Sequence, residues 1–146
     1  MTGHSCTGRQ PAGHEATADI RVLVVDDHPW VRASLTELLS DEDGLTVVGE
    51  CEDGSQVVEA AERLHPHVIL MDLSMPVMDG LAATEALRAA LPEPRIVMLT
   101  GEGSAARPDV TAAGAHALVP KSTRADALLA CLRTVVVGCD CCPYCL

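Results

Sequence analysis

The sequence has no phenylalanine, one tryptophan (Trp30) and one tyrosine (Tyr144), so its core cannot be aromatic and must be built from Val, Leu, Ala, Ile and Met. Basic side chains are also scarce: 10 against 21 acidic ones, a formal net charge of −11. That balance repels a phosphate backbone and argues against nucleic-acid binding, while it suits cations or basic protein surfaces. No apolar run approaches the length of a membrane span. The N-terminus, MTGHSCTGRQPAGHEATAD, lacks the apolar stretch of a signal peptide, so a cytoplasmic location is expected. A disulfide framework is missing too. Of seven cysteines, Cys6, Cys51 and Cys131 are scattered and the other four crowd into the last eight residues, which points to a reducing compartment.

What is present is a regular alternation. A chain of 146 residues is about one domain and long enough to bury its own core. Residues 1–18 show no periodicity and read as a disordered lead. Five short aliphatic runs follow, at 20–25, 45–50, 67–71, 95–100 and 115–120, each suited to a strand buried on both faces. Helical spacing separates them. Pro29 fits a first helical position, with Val31, Leu35, Leu38 and Leu39 on one face. Residues 54–64 place Val57, Val58, Ala61 and Leu64 similarly, and Asp79-Gly80 opens a helix to about Ala90. The segment at 101–114 holds three glycines and Pro108, which predicts a short, late-starting or mobile helix. Thr123 and Asp126 have capping-box spacing ahead of Leu128, Cys131, Leu132 and Val135. The alternation predicts an α/β fold, a doubly wound parallel sheet with helices on both faces.

Polar residues concentrate where the strands end. Asp26 and Asp27 follow the first run, Asp72 the third, Thr100 the fourth and Lys121 the fifth. In an open α/β sheet, ligands bind outside the carboxyl ends of the strands, so these side chains should converge. Three carboxylates in one crevice need a counter-charge, which Mg2+ can supply while leaving room for a phosphate oxygen. Asp72 can then serve as a carboxylate nucleophile, with Lys121 and Thr100 serving the phosphoryl oxygens.

Asp26-Asp27, Asp72 within MDLSMPVMDG, Thr100, and Lys121 within PKS together resemble the receiver domain of two-component response regulators. The resemblance spans about residues 19–137. VVDDHPWVR and MDLSMPVMDG look most like the NarL/FixJ-type subgroup, whose members usually add a helix-turn-helix domain. It implies a five-stranded sheet of flavodoxin-like order 2-1-3-4-5 and phosphorylation of Asp72 by a sensor histidine kinase. Asp26, Asp27, Asp72 and the Ser74 backbone carbonyl would hold Mg2+, with Asp27 favoured over Asp26 as a direct ligand. Thr100 and Lys121 would sense the phosphoryl group. Such a domain catalyses its own phosphorylation and dephosphorylation and signals to a protein partner that the sequence does not name, with weak dimerisation on phosphorylation a further expectation. Two features depart from the pattern. Leu118 stands where an aromatic switch residue is common, and Pro108 falls in the fourth helix. The sequence stops at Leu146, too soon for a helix-turn-helix domain, so a stand-alone receiver or a truncated regulator is expected.

Each site residue has a plainer reading alone: Asp-Asp as a helix cap, Lys121 as a solvated lysine, Thr100 as a strand-end hydroxyl. Their joint order favours the receiver. A haloacid-dehalogenase-type phosphatase would place its nucleophile after the first strand in a D-x-D context, which is missing. A binding-only pseudo-receiver would typically lose one of the acidic or lysine positions. His28 reads as a residue at a helix start, His65 and His67 as surface, and Met71, Met75 and Met78 as core and loop packing. The tail GCDCCPYCL (138–146) could offer thiols to zinc or copper, but its contiguous C-x-C-C-x-x-C spacing is unlike looped structural sites and favours an unstructured end. From the charge, the chain should not shift duplex DNA in a gel at physiological salt; a specific, salt-resistant shift would contradict this.

Overall fold

In the computed structural model, residues 19–101, 103–138 and 144–146 are described; the lead at 1–18 and most of the cysteine-rich tail lie outside them. The aliphatic runs form β1 (Ile20–Val25), β2 (Leu45–Cys51), β3 (Val68–Asp72), β4 (Arg95–Thr100) and β5 (Ala117–Pro120). All neighbouring pairs are parallel, in the order β2-β1-β3-β4-β5. This is the expected doubly wound order. Because β1 is flanked by β2 on one side and β3 on the other, the chain reverses direction across β1, which makes a crevice beyond its carboxyl end.

The period of two explains how one sheet feeds two cores. Leu23 and Val25, Ile69 and Met71, and Ile96 and Met98 face one side. Val22 and Val24, Val68 and Leu70, and Val97 and Leu99 face the other. On the first side pack α2 (Val57–Leu64), α3 (Gly80–Ala90) and α4 (Arg107–Ala113), through Val57, Ala61, Leu87 and Val110. On the second pack α1 (Pro29–Ser40) and α5 (Ala125–Val135), through Leu39, Leu128, Cys131, Leu132 and Val135. Every residue of β3 is buried, so that strand shows no alternation in sequence.

Local chemistry sets most boundaries. Pro29 opens α1, and the Asp79 carboxylate caps α3 by accepting the Ala82 N–H at 2.9 Å. A 3-10 turn covers 103–106 and α4 starts only at Arg107, which leaves Pro108 in the first turn, where its missing N–H costs nothing.

Several expectations are corrected. The capping box at Thr123 does not form: α5 starts at Ala125 with Arg124 as its N-cap, and Asp126 accepts the Ala127 N–H instead. Val31 is exposed, because α1 turns only Leu39 fully inward. The tail is not wholly unstructured either: Tyr144–Leu146 pairs with β5 through an antiparallel bridge from Ala117 to Cys145. Three of the four tail cysteines lie outside the described residues. His67 is half-buried, and its Nδ1 accepts the Arg21 N–H at 2.9 Å.

His116 makes the matching contact across the sheet, its Nδ1 accepting the Ile96 N–H at 3.0 Å. Only a neutral imidazole can accept in this way. Burial, then the nearby Arg95 and Arg88, pushes the His116 pKa down to about 4; burial and Arg21 lower that of His67. The unfolded chain takes up these protons near pH ~6.5 whereas the folded chain resists them, so stability is full above that value and declines as pH falls. Denaturant midpoints should therefore drop between pH 6.5 and about 4 for His116, and His116→Gln should reduce the slope. An unchanged slope would exonerate His116. Leu87→Ala, which empties a fully buried site, should cost about 2–5 kcal/mol in the same measurement.

Candidate functional site

Four strands deliver polar side chains to the carboxyl end of the sheet. Asp26 and Asp27 leave β1, Asp72 ends β3, Thr100 ends β4, and Lys121 follows β5. The structure brings the acidic groups together: ligand-type atoms of Asp26, Asp27, His28 and Asp72 all lie within 4.8 Å of one another. Lys121 Nζ stands 3.1 Å from Asp72 Oδ1. Thr100 is buried, and its carbonyl accepts the Lys121 N–H at 2.8 Å, which ties the ends of β4 and β5 together.

The backbone around the acids is held at both ends of the crevice. The Asp26 N–H donates to the Cys51 carbonyl at 3.1 Å, while Arg32 reaches back from α1 to donate to the Asp26 carbonyl at 2.7 Å. Arg32 is itself held by Glu50 at 3.0 Å. Arg32 closes the VVDDHPWVR segment, one turn and a half beyond the acidic pair, but no role for it is legible there. His28 is the N-cap of α1, as the plainer reading had it, but its Nδ1 also approaches Asp27 Oδ1 at 3.2 Å and Asp26 Oδ1 at 3.5 Å.

On the other side, the β3–α3 loop carries Ser74, whose N–H donates to Asp72 Oδ1 at 3.3 Å. Gly80 lets α3 approach this loop: a Cβ there would lie 2.6 Å from the Asp72 carbonyl oxygen. Leu118 is buried in the core beneath β5, three residues before Lys121.

The electrostatics are unbalanced. Asp26 is wholly buried and Asp72 nearly so, yet three carboxylates face one ammonium. Burial raises the Asp72 pKa most, Asp26 adds to the rise, and the Lys121 ammonium and the Ser74 N–H oppose it. Asp26 Oδ2, Asp27 Oδ1 and Asp72 Oδ2 are buried without a hydrogen-bond partner. The approach of His28 to Asp27 Oδ1 does not meet hydrogen-bond geometry, so it offers charge only if the imidazole is protonated. Buried carboxylate oxygens without partners are costly, and hard oxygen donors of this kind fit a divalent cation such as magnesium.

The chain matches the response regulator receiver domain family over residues 22–133 and belongs to it. It is 39% identical over 120 residues to the response regulator GacA of Pseudomonas protegens, an alignment covering 82% of this chain and 56% of that protein. It is 41% identical over 104 residues to a protein-glutamate methylesterase/protein-glutamine glutaminase of Vibrio vulnificus, covering 70% of this chain but 28% of that one. The chain thus spans about half or less of these relatives' lengths. Among solved structures, the response regulator domain of Thermotoga maritima CheB superposes with a TM-score of 0.77 at 30% identity, covering 84% of this chain and 99% of that one. A LuxR-family two-component response regulator from Aurantimonas gives a TM-score of 0.78 at 30% identity, over 83% and 87% of the two chains. The fold and function are those of a two-component receiver domain. Among the described residues, no helix is long and apolar enough to cross a membrane.

Mutual repulsion of the acids has a measurable consequence. Without divalent cations, Asp26→Asn should stabilise the fold by about 1–2 kcal/mol, since it removes one uncompensated buried charge. Magnesium should raise the melting temperature of wild type and do so much less for the variant. Destabilisation by Asp26→Asn in chelator, with an intact magnesium response, would mean that the acids are not in conflict.

Proposed function

We propose that Asp72 accepts a phosphoryl group from the phosphohistidine of a sensor histidine kinase, through residues 19–137 acting as the signalling unit. The observation that carries this reading is the state of the Asp72 carboxylate: one oxygen is held by Lys121 at 3.1 Å, and the other is buried and unpartnered beside Asp26 and Asp27. A carboxylate must be ionised to attack. Lys121 opposes the effect of burial and keeps the charged form available.

In the transfer, an Asp72 oxygen forms a bond to phosphorus as the donor's P–N bond breaks, leaving the donor imidazole to take up a proton. Lys121 follows the charge from the carboxylate to the phosphoryl oxygens, and the Thr100 hydroxyl donates to another of them. Asp26, Asp27, Asp72 and the Ser74 carbonyl would hold Mg2+, which when bound neutralises charge on the acids and the phosphoryl group. Arg32 acts at one remove, by fixing the carbonyl of Asp26.

Phosphorylation then alters contacts with a downstream protein and promotes weak dimerisation, which sedimentation measures. The VVDDHPWVR and MDLSMPVMDG segments favour a NarL/FixJ-type origin. The buried free thiol at Cys51 suits a reducing, cytoplasmic setting. Catalysis beyond the domain's own phosphorylation and dephosphorylation forms no part of this reading.

Incubation with acetyl phosphate and magnesium, followed by intact-mass measurement, tests the assignment. Wild type should gain one phosphoryl mass, and Asp72→Asn should gain none. Lys121→Ala should lower the yield or rate about tenfold or more, as loss of a charge that stabilises the transition state does. Equal labelling of Asp72→Asn and wild type would move the acceptor elsewhere.

A further inference from the structure

The open edge of β5 is occupied by the chain itself. Tyr144–Leu146 lies antiparallel along it, bridged from Cys145 to Ala117. The Leu118 N–H donates to the Tyr144 carbonyl at 2.9 Å, and the Leu146 N–H donates to the His116 carbonyl at 3.0 Å. The guanidinium of Arg107, at the start of α4, donates to the Cys145 carbonyl at 3.1 Å. Tyr144 and Cys145 also pack against Ala130 of α5. Three residues therefore bind α4, β5 and α5 together.

The edge they cover is short and nearly spent. The Lys121 N–H turns inward to Thr100, and the Leu118 N–H turns outward to Tyr144. Strand alternation then directs Pro120 outward, and proline has no N–H. Leu118 supplies the one outward donor of β5, and the segment takes it. An unpaired strand edge otherwise invites another extended chain.

The same contacts bracket the phosphoacceptor site. Leu118 lies three residues before Lys121, and Arg107 seven residues after Thr100. The two site residues share the 2.8 Å backbone bond between Lys121 and Thr100, so the ends of β4 and β5 move as one. In the phosphoryl-free chain Lys121 is drawn down onto Asp72. Conversion of Asp72 to the acyl phosphate removes that carboxylate charge and sets a phosphoryl dianion, spread over three oxygens, farther out, so Lys121 and Thr100 must re-aim. A clamp on Leu118, His116 and Arg107 resists this movement.

We propose that residues 144–146 form a strap that closes the strand-addition edge of β5 in the phosphoryl-free domain, and that strap seating and phosphoryl binding oppose each other. The proposal rests on the reading of Asp72 as acceptor. Linkage requires the opposition to be reciprocal: whatever the strap costs phosphoryl binding, phosphoryl binding costs the strap. The bared edge then fits an extended peptide segment, by main-chain pairing.

The test compares the whole chain, the whole chain carrying Arg107→Ala, and a chain lacking residues 139–146. Amide exchange at Leu118 is followed by NMR, and affinity for beryllofluoride with magnesium by calorimetry. In the whole chain Leu118 should exchange slowly, and beryllofluoride should speed it. Deletion should speed it without beryllofluoride and tighten beryllofluoride binding about fivefold, a modest allosteric coupling; Arg107→Ala should shift both in the same direction by less. Leu118 protection that ignores the deletion, or equal beryllofluoride affinity in all three chains, would overturn the strap while leaving the acceptor reading intact. Failure of every chain to bind beryllofluoride, together with no phosphoryl mass on wild type, would remove the acceptor reading and the strap's coupling with it.

Discussion

The structure turns on the confinement of Asp26, Asp27 and Asp72 at the carboxyl end of the sheet, opposed by the ammonium of Lys121. Burial, and then the neighbouring Asp26 carboxylate, raises the Asp72 pKa, and like charges confined in this way weaken the fold that holds them. Much of the surrounding architecture resists their dispersal. Asp26 is pinned through its N–H by Cys51 and through its carbonyl by Arg32, so its main chain cannot move away without breaking β1–β2 or α1 contacts. Gly80 admits α3 close against the Asp72 carbonyl, where any side chain would force the loop outward.

The β3–α3 loop shows the same economy in its backbone. Val77 has a φ of 68°, unusual for a β-branched residue, and the Met78 N–H donates to the Pro76 carbonyl at 2.7 Å across it. Such a γ-turn stores strain of about 1–3 kcal/mol and persists only where its surroundings over-determine it. Here Gly54 donates to the Met78 carbonyl at 3.0 Å and Gly80 to the Leu73 carbonyl at 2.9 Å. The Val77 side chain is left in solvent, so its packing cannot explain the conformation. The turn is compelled from both ends, in the same loop that brings the Ser74 N–H to the Asp72 carboxylate.

The strands and the convergence of the candidate site residues were legible in the amino-acid sequence for one reason. Buried parallel strands admit almost no polar side chains, so Asp26, Asp72, Thr100 and Lys121 stand out as the first polar groups beyond aliphatic runs. Helix α4 was legible as late-starting, because Pro108 is tolerated only in a first turn. What stayed hidden depends on contacts far apart in sequence. His116 and His67 act as backbone acceptors for neighbouring strands, which no local pattern signals. Val31 follows helical spacing yet finds no partner, and the Thr123–Asp126 spacing yields to a helix start at Ala125. Arg32 gains its role only when β2 brings Glu50 beside α1.

The tail carries the same lesson to the edge of the fold. Its cysteine spacing drew attention to metal chemistry, whereas its described hydrogen bonds use its backbone: Tyr144 and Leu146 bond main chain to main chain, beside the packing of Tyr144 and Cys145 on Ala130. Backbone pairing of this kind is invisible to residue type. It is also cheap to make and to break, since each such backbone hydrogen bond contributes only about 1 kcal/mol net. A contact that weak cannot hold the sheet together, but it is well matched to bias an equilibrium at Lys121, whose ammonium lies 3.1 Å from the Asp72 carboxylate.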